Sequence, residues 1–273
     1  MPDSAPIART DAIPRDPQRR RLLGGLAALP LAPSLAAILA DPRLAAAAAA
    51  GTESVTITTR DGREVSGALA VPAETPAPAV LLIHEWWGLN DQIKAMAAEF
   101  AAAGYLALAV DLYGGEVAGT PDEAKALMSA VEEPAATDTL ASWIAWLKDH
   151  GDSTGKVGAV GWCFGGGWAL NASLAAPVEA TVVYYGRVNK TAGELASLES
   201  PVLGHFATED KFINREMVDG FESAMDEAGK DYTTHWYEAD HAFANPTGAR
   251  YDEADAAEAW ERTKAFLAEH LEG

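Results

Sequence analysis

"KVGAVGWCFGGGWAL", Lys156 to Leu170, holds the single cysteine of the 273-residue chain. Its first half, VGAVGW, is a short apolar run of strand length. Its second half, continuing into NASL, is small and apolar and reads as a helix. Between them stands Gly161-Trp162-Cys163-Phe164-Gly165. That is the G-x-S-x-G spacing of a nucleophile elbow, with cysteine for serine. Glycine is needed two residues before and two after, because other backbone passes close to the tight turn. The turn would present the Cys163 sulfur at the end of a sheet. A helix N-terminus beneath it favours an anion, which a thiolate is. The N–H of Phe164 would be one oxyanion donor. A lone cysteine is more often a small buried core residue. Strand, glycines and helix together favour the nucleophile.

Outward from the elbow the pattern repeats. Val55–Thr59 alternates, Asp61-Gly62 is a turn signal, and Val65–Leu69 completes a hairpin. Ala79–Ile83 is an unbroken apolar run, as expected of a strand buried on both faces. Asn90 or Asp91 caps a helix on which Ile93, Met96, Ala97 and Phe100 share a face. "LALAVDLYGG" is the next strand. Thr120–Glu123 has capping-box spacing, and the helical pattern runs on through Trp143, Trp146 and Leu147. "ATVVYYG", "PVLGHFA" and "THWYEA" are further strands, with helices over Asn214–Ala228 and Ala254–Leu271. Strands alternating with helices predict an α/β fold, a mainly parallel central sheet with helices on both faces. Chemistry in such sheets sits at the carboxyl ends of the strands. Cys163, Asp210, His241 and the "HEWWG" loop all fall there.

A thiol nucleophile needs a base. His205 and His235 lie inside strands and read as structural. His241, in "EADHAFANP", follows the last strand and is the candidate. Asp210, in "ATEDKFIN", follows a strand and would orient the imidazole, with Glu209 its immediate competitor. The order nucleophile, acid, histidine is that of α/β-hydrolases.

The chain resembles the dienelactone hydrolase (carboxymethylenebutenolidase) family. "LLIHEWWGLND", "AVDLYGG", "VGWCFGG", "GHFATEDKFI" and "ADHAFANP" occur in the family's order and span nearly all of Val55 to Leu271. The resemblance implies an ester or lactone hydrolase of the α/β-hydrolase fold, working through an acyl-thioester. Cys163 is then the nucleophile, His241 the base and Asp210 its orienter. Glu85 matches a glutamate that contacts the cysteine and helps form the thiolate. The Trp86 N–H matches the second oxyanion donor. Trp87, Trp162 and Phe243 would wall an apolar pocket, with Tyr113 and Asn245 also at the substrate. The family holds a substrate carboxylate with two arginines, and here those positions are Gly115 and Asn245. Neither supplies the charge or fork that a carboxylate clamp requires. Arg187 and Lys211 are the candidate substitutes. Neutral esters and lactones are therefore at least as well suited as dienelactone. The other reading is a non-catalytic ligand-binding protein on the same fold. A thiol redox protein is disfavoured, because no second cysteine can resolve a sulfenic acid.

A net charge of −20 argues against nucleic acid and anionic membrane as partners. No metal-ligand spacing or phosphate loop is evident, and no cofactor is expected. At the N-terminus, Arg19, Arg20 and Arg21 precede a charge-free stretch running to Ala40. The alanines from Ala45 to Ala50 offer A-x-A cleavage sites. Residues 1–50 thus resemble a twin-arginine export signal with an Ala-rich linker, and residues 51–273 are the catalytic domain. A periplasmic monomer with no lasting membrane contact is expected. An uncleaved membrane anchor and a cytoplasmic chain with a tail are the alternatives.

Overall fold

The computed structural model describes residues 35–273, so Arg19–Arg21 and most of the charge-free stretch lie outside the described residues. Eight strands form one sheet in the order β1-β2-β4-β3-β5-β6-β7-β8. The hairpin of β1 (Glu53–Thr58) and β2 (Glu64–Ala70) is antiparallel, and β2 joins β4 (Leu106–Val110) antiparallel. From there every pair is parallel, through β3 (Ala77–Ile83), β5 (Ser153–Trp162), β6 (Ala180–Tyr184), β7 (Val202–Ala207) and β8 (Tyr232–Tyr237). This is the α/β-hydrolase arrangement the sequence predicts.

The apolar runs explain the layering. Successive residues of a strand face opposite sides, so Val80 and Leu82 join one core while Leu81 and Ile83 join the other. Burying each such side chain contributes about 1.5–3 kcal/mol. The first core is covered by α3 (Asp91–Ala102) and α9 (Glu253–Leu271). The second is covered by α5 (Glu133–Asp149) and α6 (Phe164–Ala175). A third, smaller core lies between β6, β7 and α8 (Arg215–Ala228).

Caps appear where the sequence places them. The Asn90 side chain accepts the Ile93 N–H, and Thr120 and Glu123 close a capping box. One difference is local. The helical pattern after Thr120 is two helices, α4 (Pro121–Ala130) and α5, because Pro134 in the first turn of α5 starts a new helix. The four-residue α7 (Ala192–Leu195) was not expected.

A second difference lies at the N-terminus. The alanines read as a linker are helical. Helix α1 is Leu35–Ala40 and α2 is Pro42–Ala49. Alanine is the strongest helix former and Pro42 suits the first turn. The Asp41 carboxylate caps α2 by accepting the Arg43 N–H at 2.8 Å. Leu39 and Ala45 are buried in the first core with Met96 and Phe100. The compact unit therefore takes in Leu35–Ala50 as well as residues 51–273.

Candidate active site

Strand β5 ends at Trp162 and α6 starts at Phe164, so Cys163 alone makes the turn. Its φ is 55°, a left-handed conformation that is strained for any residue but glycine. The turn is held from the next strand, where the Tyr184 carbonyl accepts the Cys163 N–H at 3.0 Å. The flanking glycines are compulsory. A Cβ on Gly161 would lie 1.9 Å from the Gly165 carbonyl oxygen, and one on Gly165 would lie 2.1 Å from that of Ile83. Cys163 sits on the N-terminus of α6, whose first N–H groups have no partner within the helix.

Loops after β7 and β8 bring the other two groups. Asp210 uses its oxygens separately. Oδ1 accepts the N–H groups of Phe212 and Ile213 at 2.7 and 3.0 Å, which locks the loop. Oδ2 accepts from His241 Nδ1 at 2.6 Å. His241 Nε2 lies 3.1 Å from Cys163 Sγ. Sulfur, imidazole and carboxylate thus form one line. Burial alone would lower the His241 pKa, but the Asp210 and Cys163 hydrogen bonds override it and raise it to about 10. Burial alone would raise the Asp210 pKa; the His241 hydrogen bond and the two N–H donors bring it below the ordinary aspartate value. Glu209 is not in the line; its N–H bonds the Ala239 carbonyl.

Glu85, after β3, is buried 97% but not on the sulfur: its Oε2 accepts from Asn245 Nδ2 at 2.5 Å and its Oε1 from the Tyr185 hydroxyl at 3.4 Å. No Glu85–Cys163 hydrogen bond is present among the described residues. Burial raises the Glu85 pKa, and the two donors only partly offset that. The N–H groups of Phe164 and Trp86 are not taken by any protein acceptor among the described residues.

The expected pocket residues divide. Trp87 is half-buried and edge-on to Trp86. Trp162 and Phe243 are interior instead. Trp162 stacks on Tyr184, and Phe243, fully buried, packs between Tyr185 and Tyr237. Strand alternation sends Trp162 to the core beneath α9, on the side of Val160. Tyr113 is buried and donates its hydroxyl to the Trp86 carbonyl at 3.2 Å. Arg187 and Lys211 are exposed.

Two residues escaped the sequence reading. Phe212 is 64% exposed with its ring 5.4 Å from that of His241, so an apolar surface borders the imidazole. Tyr185 has φ 36° and its ring 5.3 Å from His241. Its place just past β6, at the carboxyl edge of the sheet, was the available signal.

The remaining buried histidines bond within the fold. His84 accepts the Leu112 N–H through Nε2, and burial lowers its pKa to about 4. His205 pairs with Tyr237 and Thr263, and burial holds its pKa well below 6.5. Both stay neutral in the fold while an unfolded chain would protonate them near 6.5. Their contribution to stability is full above about 6.5 and is lost as pH falls below it. His241 has the opposite sign. Its contribution is full below about 6.5 and is lost as pH rises to about 10. The thermal midpoint, measured across this range, is expected to peak near neutrality and fall on both sides.

The profile of the dienelactone hydrolase family matches residues 65–271. The chain belongs to the dienelactone hydrolase family. It is 30% identical to a carboxymethylenebutenolidase of Pseudomonas putida over 232 residues, covering 80% of this chain and 96% of that one. It is 32% identical to the Aquifex pyrophilus protein usf, covering 78% and 96%. A dienelactone hydrolase-like promiscuous phosphotriesterase from metagenomic libraries, P91, shares the fold with a TM-score of 0.73 at 23% identity, covering 81% and 99%.

Against the dienelactone hydrolase pattern, the two arginine positions have taken other work. Gly115, with φ 94°, gives only its N–H, to Asp111 Oδ2 at 2.5 Å. Asn245 spends its Nδ2 on Glu85, and its Oδ1 accepts from Thr247 N and Oγ1 at 2.9 and 2.7 Å. Both ends of the amide are engaged, so its orientation is set.

Proposed function

We propose that this member of a hydrolase family cleaves neutral carboxylic esters or lactones through an acyl-thioester on Cys163. The observation that carries the reading is the Cys163–His241–Asp210 line, at 3.1 and 2.6 Å. His241 Nδ1–H is committed to Asp210, so Nε2 exchanges a proton with sulfur. The thiolate attacks the carbonyl carbon, forming the S–C bond, while the carbonyl electron pair moves to oxygen. The N–H groups of Phe164 and Trp86 are the donors proposed for that oxyanion. Its collapse breaks the C–O bond, and the leaving alkoxide takes the Nε2 proton. Water then gives a proton to Nε2 and its oxygen to the acyl carbon, releasing acid and thiol. All the groups come from one chain, so the reading needs no second copy.

The test is mass spectrometry of enzyme quenched during turnover of p-nitrophenyl acetate. One acetyl group is expected on the peptide bearing Cys163. An acetyl group on any other residue, with Cys163 unmodified, sinks the mechanism.

Gly115 and Asn245 offer a substrate carboxylate no charged fork at those two positions. We expect kcat/KM for p-nitrophenyl acetate to exceed that for a dienelactone bearing a free carboxylate, measured side by side. Phe212 supplies apolar contact instead. Phe212→Ala is expected to raise KM for an aryl ester about tenfold with kcat little changed, the mark of uniform binding.

Export is proposed on the arginines and charge-free stretch alone. Fractionation of cells expressing the full chain should find activity in the periplasm. Arg19→Lys with Arg20→Lys should retain it in the cytoplasm, and equal distribution of both chains would end that proposal.

A further inference from the structure

We infer that Leu35–Ala49 is a docked strap that masks a peptidase site at Ala45–Ala50. A peptidase that recognises small residues before its cut needs an extended, accessible backbone. Here that backbone is spent. The Ala45 N–H bonds the Asp41 carbonyl at 2.9 Å, and the Ala50 N–H bonds that of Ala46 at 3.0 Å. Beyond the helix, Gly51 and Thr52 donate to Ala48 and Ala49 at 2.9 and 3.0 Å, and the Thr52 hydroxyl adds a bond to Ala49 at 2.7 Å. Side chains at positions 45 and 49 are buried against the domain.

Leu39 is the anchor. It is 2% exposed, in the core that holds Met96 and Phe100 and against which Trp260 packs. It also lines an open, mostly apolar pocket of about 160 Å³ with Met96, Trp162, Tyr184, Ala244 and Trp260, and with Glu253 and Glu261 among its walls. Trp162 and Ala244 are chain neighbours of Cys163 and Asn245. The strap therefore packs on α3 and reaches, through Leu39, a pocket that Trp162 and Ala244 also line. Cleavage hydrolyses one peptide bond, with water supplying the hydroxyl of the new carboxyl and the hydrogen of the new amine. It requires the strap to undock first, and it takes Leu39 from the wall of that pocket. The masking is independent of the esterase mechanism. Only the choice of physiological peptidase rests on the export proposal.

Elastase, whose small pocket takes alanine, tests the masking on the full chain. Its rate should follow the undocked population. Cleavage within Ala45–Ala50, read by intact mass, is expected to be slow in wild type. Leu39→Asp should speed it about tenfold or more. Asp41→Ala, which removes only the cap, should speed it about fivefold. Leu44→Asp, at a position 39% exposed, should leave it unchanged. Wild type cut as fast as Leu39→Asp overturns the proposal, and so does equal resistance in all chains. If Leu39→Asp is cut throughout the domain, Asp41→Ala decides, since its capped helix is the only thing changed. A purified bacterial signal peptidase in detergent should reproduce the ranking. Cleavage by elastase but never by that peptidase overturns the site assignment while leaving fractionation to judge export.

Discussion

Cys163→Ala is expected to lower kcat/KM for p-nitrophenyl acetate by about 10⁴-fold or more, with the fold intact. The size follows from the roles. Removing the sulfur would remove the proposed covalent route, and no other nucleophile among the described residues bonds His241 Nε2. What survives is binding and any oxyanion stabilisation. The fold should hold, because alanine accepts the same turn and the Tyr184 carbonyl still takes the residue 163 N–H. Equal thermal midpoints with lost turnover would place the effect in chemistry. Activity within tenfold of wild type would remove Cys163 from the mechanism.

Gly165→Ala is expected to cost more than about 4 kcal/mol, or to prevent folding. The added methyl would meet the carbonyl oxygens of Ile83 and His84 at 2.1 and 2.5 Å, and both are backbone. Neither a rotamer change nor a side-chain shift relieves such a contact; α6 would have to move off β3. The measurement is a urea midpoint, or the soluble fraction on expression. Gly193→Ala is the control. Nothing lies within 4 Å of its added carbon, so a change within about 0.5 kcal/mol is expected there. A Gly165 variant as stable as that control would contradict the close crossing of α6 and β3.

Cys163 and Gly165 are legible in the sequence for one reason. The elbow needs small residues at set spacing, so its geometry is written in residue type. Asp210 and His241 were legible because each follows a strand, and strand ends define the working edge of a parallel sheet. Glu85 was placed correctly at that edge, but its partners were not foreseen. Asn245 is 160 residues away, and nothing local joins the two. Trp162 and Phe243, expected beside the thiol, are core residues for a related reason. An aromatic next in sequence to a residue at the sheet edge points to the opposite face as often as to the same one. Phe212 was overlooked because an exposed aromatic in a loop has no pattern. The alanine-rich segment was ambiguous in principle, since alanine serves equally as helix former and as cleavage signal.

The site draws its parts from loops after β3, β5, β7 and β8. Cys163 and His241 are 78 residues apart in the chain, and Glu85 and Asn245 are 160. Closing segments of that length costs conformational entropy before any contact returns it. Among the described residues, no hairpin or helix pair contains two of Cys163, Asp210 and His241. Turnover consequently requires all four loops to be in place at once. A fragment that lacks any one of these loops is expected to be inert towards an ester, however well the rest of its sheet is formed.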